Sequence, residues 1–343
     1  MITILVTGSG GGVGQGIIKS LLMIPDLPLR VIGADMSPQA AGLYACDTAY
    51  LVTGAADPGY LASLARIFEA EQVDYYFPGT DVELTFCAEH RAEIEEKWGV
   101  RVVVNPLEAV RIADDKARTA AFLAEQGLPH PATMTLRAAR ARTDLAYPVI
   151  VKPAVGFRSI GVVRADGPDD LRAYPGEDGI IVQELVSSAD REYTCTIVGN
   201  AGAVSPVLAL RRDLRAGDTY RAFPERVPQV EAYVTDIAQR LGVEGACNFQ
   251  LRLDHDDVPK LFEINARFSG TTPFCAQLGF NPVEYYLKRD RGIAHEPQIR
   301  WDSAVLRYWS ELVLRREDLD RLQTDGSLAP DIAPQFSLYG SPR

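Results

Sequence analysis

Cysteine is scarce and poorly placed for cross-linking: Cys46, Cys87, Cys195, Cys247 and Cys275 are odd in number and show no C-x-x-C spacing. Neither a disulfide framework nor a zinc site is indicated, and the thiols read as reduced and mostly buried. Long apolar runs are also missing, and Met1 leads directly into ITILVT without a basic leader region. Nothing here predicts a membrane span or a signal segment, so the expected compartment is the cytoplasm. Positive charge is in deficit, with 35 Lys and Arg against 46 Asp and Glu for a net charge of −11. That balance argues against a surface dedicated to nucleic acid or anionic lipid, yet leaves room for a local basic pocket. The expected partners are small molecules.

At the N-terminus no glycine triplet has the strict G-x-G-x-x-G spacing, and no tyrosine is followed four residues on by lysine. A looser T-G-x-x-x-G-x-G occurs at Thr7, Gly8, Gly12 and Gly14, between an apolar run over residues 2–7 and the amphipathic IIKSLLMI. It resembles the short-chain dehydrogenase fingerprint, and the following RVIGAD ends on Asp35, where a dinucleotide site would carry its acid. Without the Tyr-x-x-x-Lys pair of that family, a tight strand-to-helix turn in a doubly wound α/β domain is the preferred reading.

The 343 residues, 47% hydrophobic and 24% charged, suffice for two or three domains. Residues 61–71 read as a helix and VDYYFP as a strand, which puts GTDVEL at the carboxyl edge of an open sheet, where ligands bind. Thr80, Asp81 and Glu83 are therefore candidate substrate contacts, with capping of the next helix as their alternative role. VRVVVN and Pro106 close this domain near residue 110. Asp114 and Asp115 then open the helix KARTAAFLAEQG. Lys116 sits in its first turn, against the helix dipole unless an anion arrives there.

Lys152, in the strand VIVKP, has only apolar neighbours before it and needs an anionic partner or an open edge. The turn AVGFRSIG carries Gly156, Ser159 and Gly161, which could present N–H groups and a hydroxyl to phosphate or simply close a hairpin. GIIVQELV reads as a strand leading into a connection, and Glu192 stands near the start of another, REYTCTIVG. VLALRRDLRAGDTYRAF holds Arg211, Arg212, Arg215 and Arg221, with Arg226 just beyond. These could grip a carboxylate or phosphate bidentately, or form a solvated loop.

The helix VEAYVTDIAQRLG delivers the chain into NFQLRLDHDDVPKLFEINARFSG, residues 248–270. Alternation puts Asn248, Gln250 and Arg252 on one face of its first half, and Leu261, Glu263, Asn265 and Arg267 on one face of its second. With DHDDVP as the turn, pairing Leu253 with Lys260 sets Gln250 opposite Glu263 and Asn248 opposite Asn265. A carboxylate and two amide carbonyls then converge, a hard-oxygen set suited to Mg²⁺. A half-buried hairpin with a solvated polar face fits this stretch equally well.

Taken in order, these features resemble the ATP-grasp superfamily over roughly residues 1–290, in the branch of carbamoyl-phosphate synthetase and small-molecule carboxylate-amine ligases. The resemblance implies an α/β ATP-grasp fold in four parts. An N-terminal Rossmann-like (pre-ATP-grasp) domain, 1–110, binds no dinucleotide; a small mobile α+β lid spans 111–190; a C-terminal α+β subdomain with the Mg²⁺ site spans 191–310; an extension covers 311–343. It implies that Lys116 and Lys152 meet ATP phosphates, and that Gly156, Ser159 and Gly161 belong to the closing loop, although Phe157 and Arg158 stand where small residues are common. Gln183, Glu184 and Val186 would form the adenine hinge, and Glu192 the acid near the ribose. Gln250, Glu263 and Asn265 would ligate one or two Mg²⁺, with Mn²⁺ as a substitute. Arg267 would face the transferring phosphoryl group or the substrate carboxylate, and Arg211 and Arg221 the substrate side.

The expected activity is ADP-forming ligation: a small polar, amino-acid-like carboxylate becomes an acyl phosphate and is captured by an amine. Lys152 and Arg267 are the expected catalytic residues. Relatives are commonly dimers, so a homodimer is a further expectation. The alternatives are carbamate or carbamoyl-phosphate chemistry on bicarbonate, an NAD(P)-dependent oxidoreductase, and a non-catalytic nucleotide-binding module.

Overall fold

The computed structural model describes residues 1–156, 160–308 and 312–330. Ser159, expected in the closing loop, lies outside them, as do Phe157 and Arg158.

Among the described residues the strands form three sheets. The first is built from β1 (Ile2–Val6), β2 (Leu29–Asp35), β3 (Thr48–Leu51), β4 (Tyr75–Phe77) and β5 (Arg101–Val102), all parallel in the order 3-2-1-4-5. The direction of winding reverses between β1 and β4, so the loops after these two strands border a crevice at the sheet's carboxyl edge. The glycine turn after β1 is closed by its own partners. Gly10 N–H donates to Asp35 Oδ2 at 2.8 Å and Gly11 N–H to Gly8 O at 2.9 Å. A Cβ on Gly14 would lie 2.2 Å from Gly8 O, and one on Gly79, in the loop after β4, 2.0 Å from Thr7 O. Glycine is required here for close backbone approach, and Asp35 holds the turn rather than presenting itself to a ribose.

The second sheet is small and antiparallel, in the order β6 (Thr133–Thr135), β9 (Ile180–Glu184), β7 (Val149–Pro153), β8 (Val163–Ala165). It has its own core around Leu136, Val149, Val151, Leu171 and Val182. The lid is expected from residue 111, whereas the small sheet itself begins at Thr133. Two helices precede this sheet, Leu107–Asp114, which sequence reading missed, and Lys116–Glu125; both pack on the third sheet, with Val110 and Leu123 in the same core as Phe249 and Ile264.

The third sheet is antiparallel. Its order is β15 (Pro259–Asn265), β14 (Gly245–Leu253), β10 (Glu192–Asn200), β12 (Leu208–Arg215), β13 (Asp218–Pro224), β16 (Val305–Leu306), with β11 (Ala203–Val204) beside β10. The first and third sheets share continuous cores: Leu5, Ile32 and Tyr76 lie in one cluster with Tyr193, Ile237 and Phe249. Asn105, 1% exposed, is a fixed link between them. Its Nδ2 donates to Ala246 O at 2.7 Å and Ala266 O at 2.9 Å, while its Oδ1 accepts from Glu244 N at 2.9 Å. The expected C-terminal extension returns to the first sheet, where β17 (Ser327–Leu328) pairs antiparallel with β3 and Leu322 and Leu328 pack on Leu43 and Tyr44.

Candidate active site

The hairpin β14–β15 sets Gln250 opposite Glu263 and Asn248 opposite Asn265. Beyond Gln250 the register shifts, so Leu251 faces Leu261 and Leu253 faces Pro259 rather than Lys260. The extra residue is Phe262, a β-bulge that regular alternation does not anticipate. It corrects the face assignment: Leu261 turns into the core with Leu251 and Ile264, while the Phe262 ring lies 5.6 Å from Lys152 Nζ. Asn248 is occupied structurally, donating to Thr194 Oγ1 at 2.8 Å.

Lys152 reaches across from the small sheet and is 6% exposed. Its ammonium donates to Gln183 Oε1 at 2.8 Å, and Gln183 Nε2 in turn donates to Thr133 Oγ1 at 3.0 Å. Burial lowers the Lys152 pKa to about 8; Glu263 and Glu192 work against that shift, Lys116 and Arg252 with it. Lys116 is 9% exposed and donates to Gly156 O at 2.9 Å, tying the start of its helix to the loop after β7. Asp115 caps that helix by accepting from Ala117 N at 2.8 Å. Gly161, at the far end of the loop, has φ +75°. Glu184 and Val186 continue from β9, and the Glu184 carboxylate is held by Ala132 N at 3.0 Å and Lys260 Nζ at 2.9 Å. Lys152 thus lies over the bulged Phe262 and within the electrostatic reach of Glu263, while Lys116 and Gln183 line the small-sheet side.

Glu192, expected beside a ribose, is 5% exposed and clamped between two arginines. Arg212 Nε and Nη2 donate to its Oε1 at 2.9 and 2.7 Å, and Arg252 Nε and Nη2 donate to its Oε2 at 2.9 and 2.8 Å. Four charge-assisted contacts fill the carboxylate's acceptor sites, so it acts here as an anchor for guanidinium groups. Arg212 Nη2 also donates to Gln250 Oε1 at 2.8 Å. Alternation separates Arg212 from its neighbour. Arg211 and Arg221 fall on the opposite face of the sheet, Arg211 paired to Glu225 at 2.8 Å beside Tyr193 and Phe223, and Arg221 facing Asp213. They therefore lie on the face opposite Arg212, Glu192 and Gln250, away from the substrate side expected for them.

Arg267 joins the two large sheets. Its Nε and Nη2 donate to the Asp81 carboxylate at 2.6 and 3.0 Å, and Nη2 also to Asn265 Oδ1 at 3.0 Å. Asp114 lies close enough to Asp81 that burial first and the neighbouring carboxylate second raise its pKa. Thr80 and Glu83 take the capping alternative: they form a capping box. Glu83, 2% exposed, accepts from Thr7, Tyr60 and Tyr76 hydroxyls as well as from Gly79 and Thr80 N–H. It fixes the loop and does not face the crevice. Arg252 and Phe262 carry no site role in the sequence reading, and Arg212 is named there only among five arginines. Strand parity could have separated Arg212 from Arg211, but the bulge left no sequence signal.

Gln250, Glu263 and Asn265 give one carboxylate and two amide carbonyls on paired strands, a donor set that fits a hard divalent ion. Among the described residues no three His, Cys, Asp or Glu side chains cluster as a self-sufficient metal site. A single carboxylate suits an ion that arrives with phosphate ligands.

Residues 4–103 match the family described as PylC-like, N-terminal domain, and residues 178–309 match the one described as ATP-grasp in the biosynthetic pathway with Ter operon. The chain is 28% identical over 216 residues to the carbamoyl phosphate synthase large chain of Rubrobacter xylanophilus, a match covering 53% of this chain and 19% of that one. It spans about a fifth of the length of the curated relatives it matches. Among solved structures, the ADP complex of N5-carboxyaminoimidazole synthetase from Staphylococcus aureus superposes with a TM-score of 0.69 at 16% identity, covering 94% of this chain and 85% of that one. The L-amino acid ligase from Bacillus licheniformis superposes with a TM-score of 0.65 at 18% identity, covering 84% and 74%. Two stretches of the chain are therefore similar to a PylC-like N-terminal domain and, after it, to an ATP-grasp domain, and the fold is shared with these solved structures.

Proposed function

We propose that the chain is an ATP-dependent, ADP-forming carboxylate-amine ligase, working in the cytoplasm on small polar substrates. The observation that carries this reading is the buried Lys152 ammonium, 5.6 Å from the Phe262 ring and within the electrostatic influence of Glu263, which the hairpin sets opposite Gln250. Lys116 and Lys152 bind and orient the triphosphate, replacing their present acceptors Gly156 O and Gln183 Oε1 with phosphate oxygens. Gln250, Glu263 and Asn265 would hold Mg²⁺, which neutralises charge on the phosphates. Arg267, aimed by Asp81, steadies either the carboxylate that attacks the γ-phosphate or the charge that develops as ADP leaves. The resulting acyl phosphate is attacked by the amine: the C–N bond forms, the C–O bond to phosphate breaks, and the amine releases its proton. No enzyme nucleophile takes part.

Carbamate-type chemistry is the second reading, favoured by the carbamoyl phosphate synthase relatives. One experiment separates the two: ADP and phosphate release measured over a panel of amino acids, with and without bicarbonate. Release that needs an amino acid and an amine supports ligation, bicarbonate-driven release without them supports the second reading, and AMP release overturns both. Glu263→Ala is expected to lower turnover at least ~1000-fold, equivalent to roughly 4 kcal/mol, while leaving the melting temperature in place.

A further inference from the structure

The two amide ends of the candidate metal set differ electrically. At the Asn265 end, the guanidinium donating to Oδ1 belongs to Arg267, which Asp81 matches charge for charge through two contacts. At the Gln250 end it belongs to Arg212, which shares the single carboxylate of Glu192 with Arg252. Two guanidinium groups and one carboxylate leave a surplus of one positive charge, where the Arg212 and Glu192 side chains are only 8% and 6% exposed. Glu192 has no acceptor site left to offer an ion. An ion on Gln250 Oε1, at the usual distance of about 2.1 Å, would lie within about 5 Å of Arg212 Nη2, given that the existing contact is 2.8 Å.

Like charges that close, away from water, repel strongly. Paired catalytic ions ordinarily sit about 3.5–4 Å apart, so a second ion would have to enter the space that Arg212 already controls. We propose that Arg212 is a built-in cation standing in for a second metal ion, so that the site takes one divalent ion with its nucleotide, and the three-residue set narrows to Glu263 and Asn265 because Gln250 Oε1 stays with Arg212. Phosphate oxygens would then meet an ion on one side and a fixed guanidinium on the other. Arg212 would then be a phosphate-binding group whose orientation is set by its two contacts with Glu192. The inference rests on the ATP reading of the site.

The test counts Mn²⁺ by electron paramagnetic resonance in the full chain saturated with β,γ-imido-ATP. One bound Mn²⁺ per chain is the expected result. Two per chain overturns the proposal and leaves the ligase reading intact, whereas none overturns the ATP reading and this proposal with it. Arg212→Met, which removes the charge and releases one oxygen of Glu192, is expected to bind two, and Arg212→Lys one. A folded Arg212→Met that still binds one ion overturns the role of Arg212. Should that variant fail to fold, the wild-type count decides alone.

Discussion

Two glycine-rich turns, Gly8–Gly14 after the first strand and Gly156–Gly161 in the small sheet, look alike in sequence and are used in opposite ways. In the first, a Cβ added on Gly14 would run into backbone, at 2.2 Å from Gly8 O, and Gly79 of the neighbouring loop packs as closely on the residue before the turn, its Cβ 2.0 Å from Thr7 O. The first turn's N–H groups are spent on Asp35 and on the turn itself. In the second, a Cβ on Gly156 would come no nearer than 3.7 Å to its surroundings, while Gly161 combines a φ of +75° with a side-chain neighbour, Pro153, at 3.2 Å. Lys116 reaches Gly156 O and Lys152 lies three residues before Val155 on the same segment. A glycine turn whose N–H groups and space are already taken by the protein's own backbone has none left to offer a phosphate.

The largest effect that would sharpen this contrast is expected from Gly14→Ala. Its new methyl would press on backbone that cannot swing aside, costing roughly 3 kcal/mol or more of stability; a lowered urea midpoint with unchanged ATP affinity in the folded fraction is the expected result. An unchanged midpoint with lost ATP binding would make the first turn a ligand cradle and erase the distinction. Next comes Lys152. The folded ammonium, with its pKa lowered to about 8, is charged below that pH and loses its proton above it. The kcat/KM for ATP should fall about tenfold per pH unit on the alkaline side, and Lys152→Arg should carry that limb out of the measurable range. A flat profile between pH 7 and 9.5 would remove Lys152 from phosphate binding. Smallest is Gly161→Ala, where a left-handed alanine costs about 1 kcal/mol. The expected readout is a roughly fivefold lower kcat/KM for ATP at constant melting temperature.

What could be read from sequence was whatever depends on neighbours along the chain. The strand, turn and helix at the N-terminus follow from local periodicity, and so do the helices 60–71 and 228–241. The expected pairing of Gln250 with Glu263 rested on a turn register one residue off, and the bulge at Phe262 restores it. That bulge could not be read, because nothing in PKLFEIN marks where two residues will oppose one. Nor could the clamp on Glu192, whose partners Arg212 and Arg252 come from strands on either side of it and 20 and 60 positions away. Arg211 and Arg212 are adjacent in the chain and differ only in which face of the sheet each meets, and one-residue parity decides between an exposed ion pair and the site. Glu83 misled for a similar reason: its loop position suggests ligand contact, while tyrosines from two other elements surround it.

Asn105 bears on the order in which the protein can assemble. Its side chain joins the entry of β14 to the segment just after β15 through carbonyls 141 and 161 positions downstream. Contacts of that separation form late, after the loop-closure cost between them has been met. On a ribosome the asparagine emerges first, and the hairpin that it fastens emerges well over a hundred residues later. The open end of the hairpin beside Asn265 is thus completed by docking onto a domain already folded. The oxygen set acquires its final geometry only in a chain whose first hundred residues are correctly built.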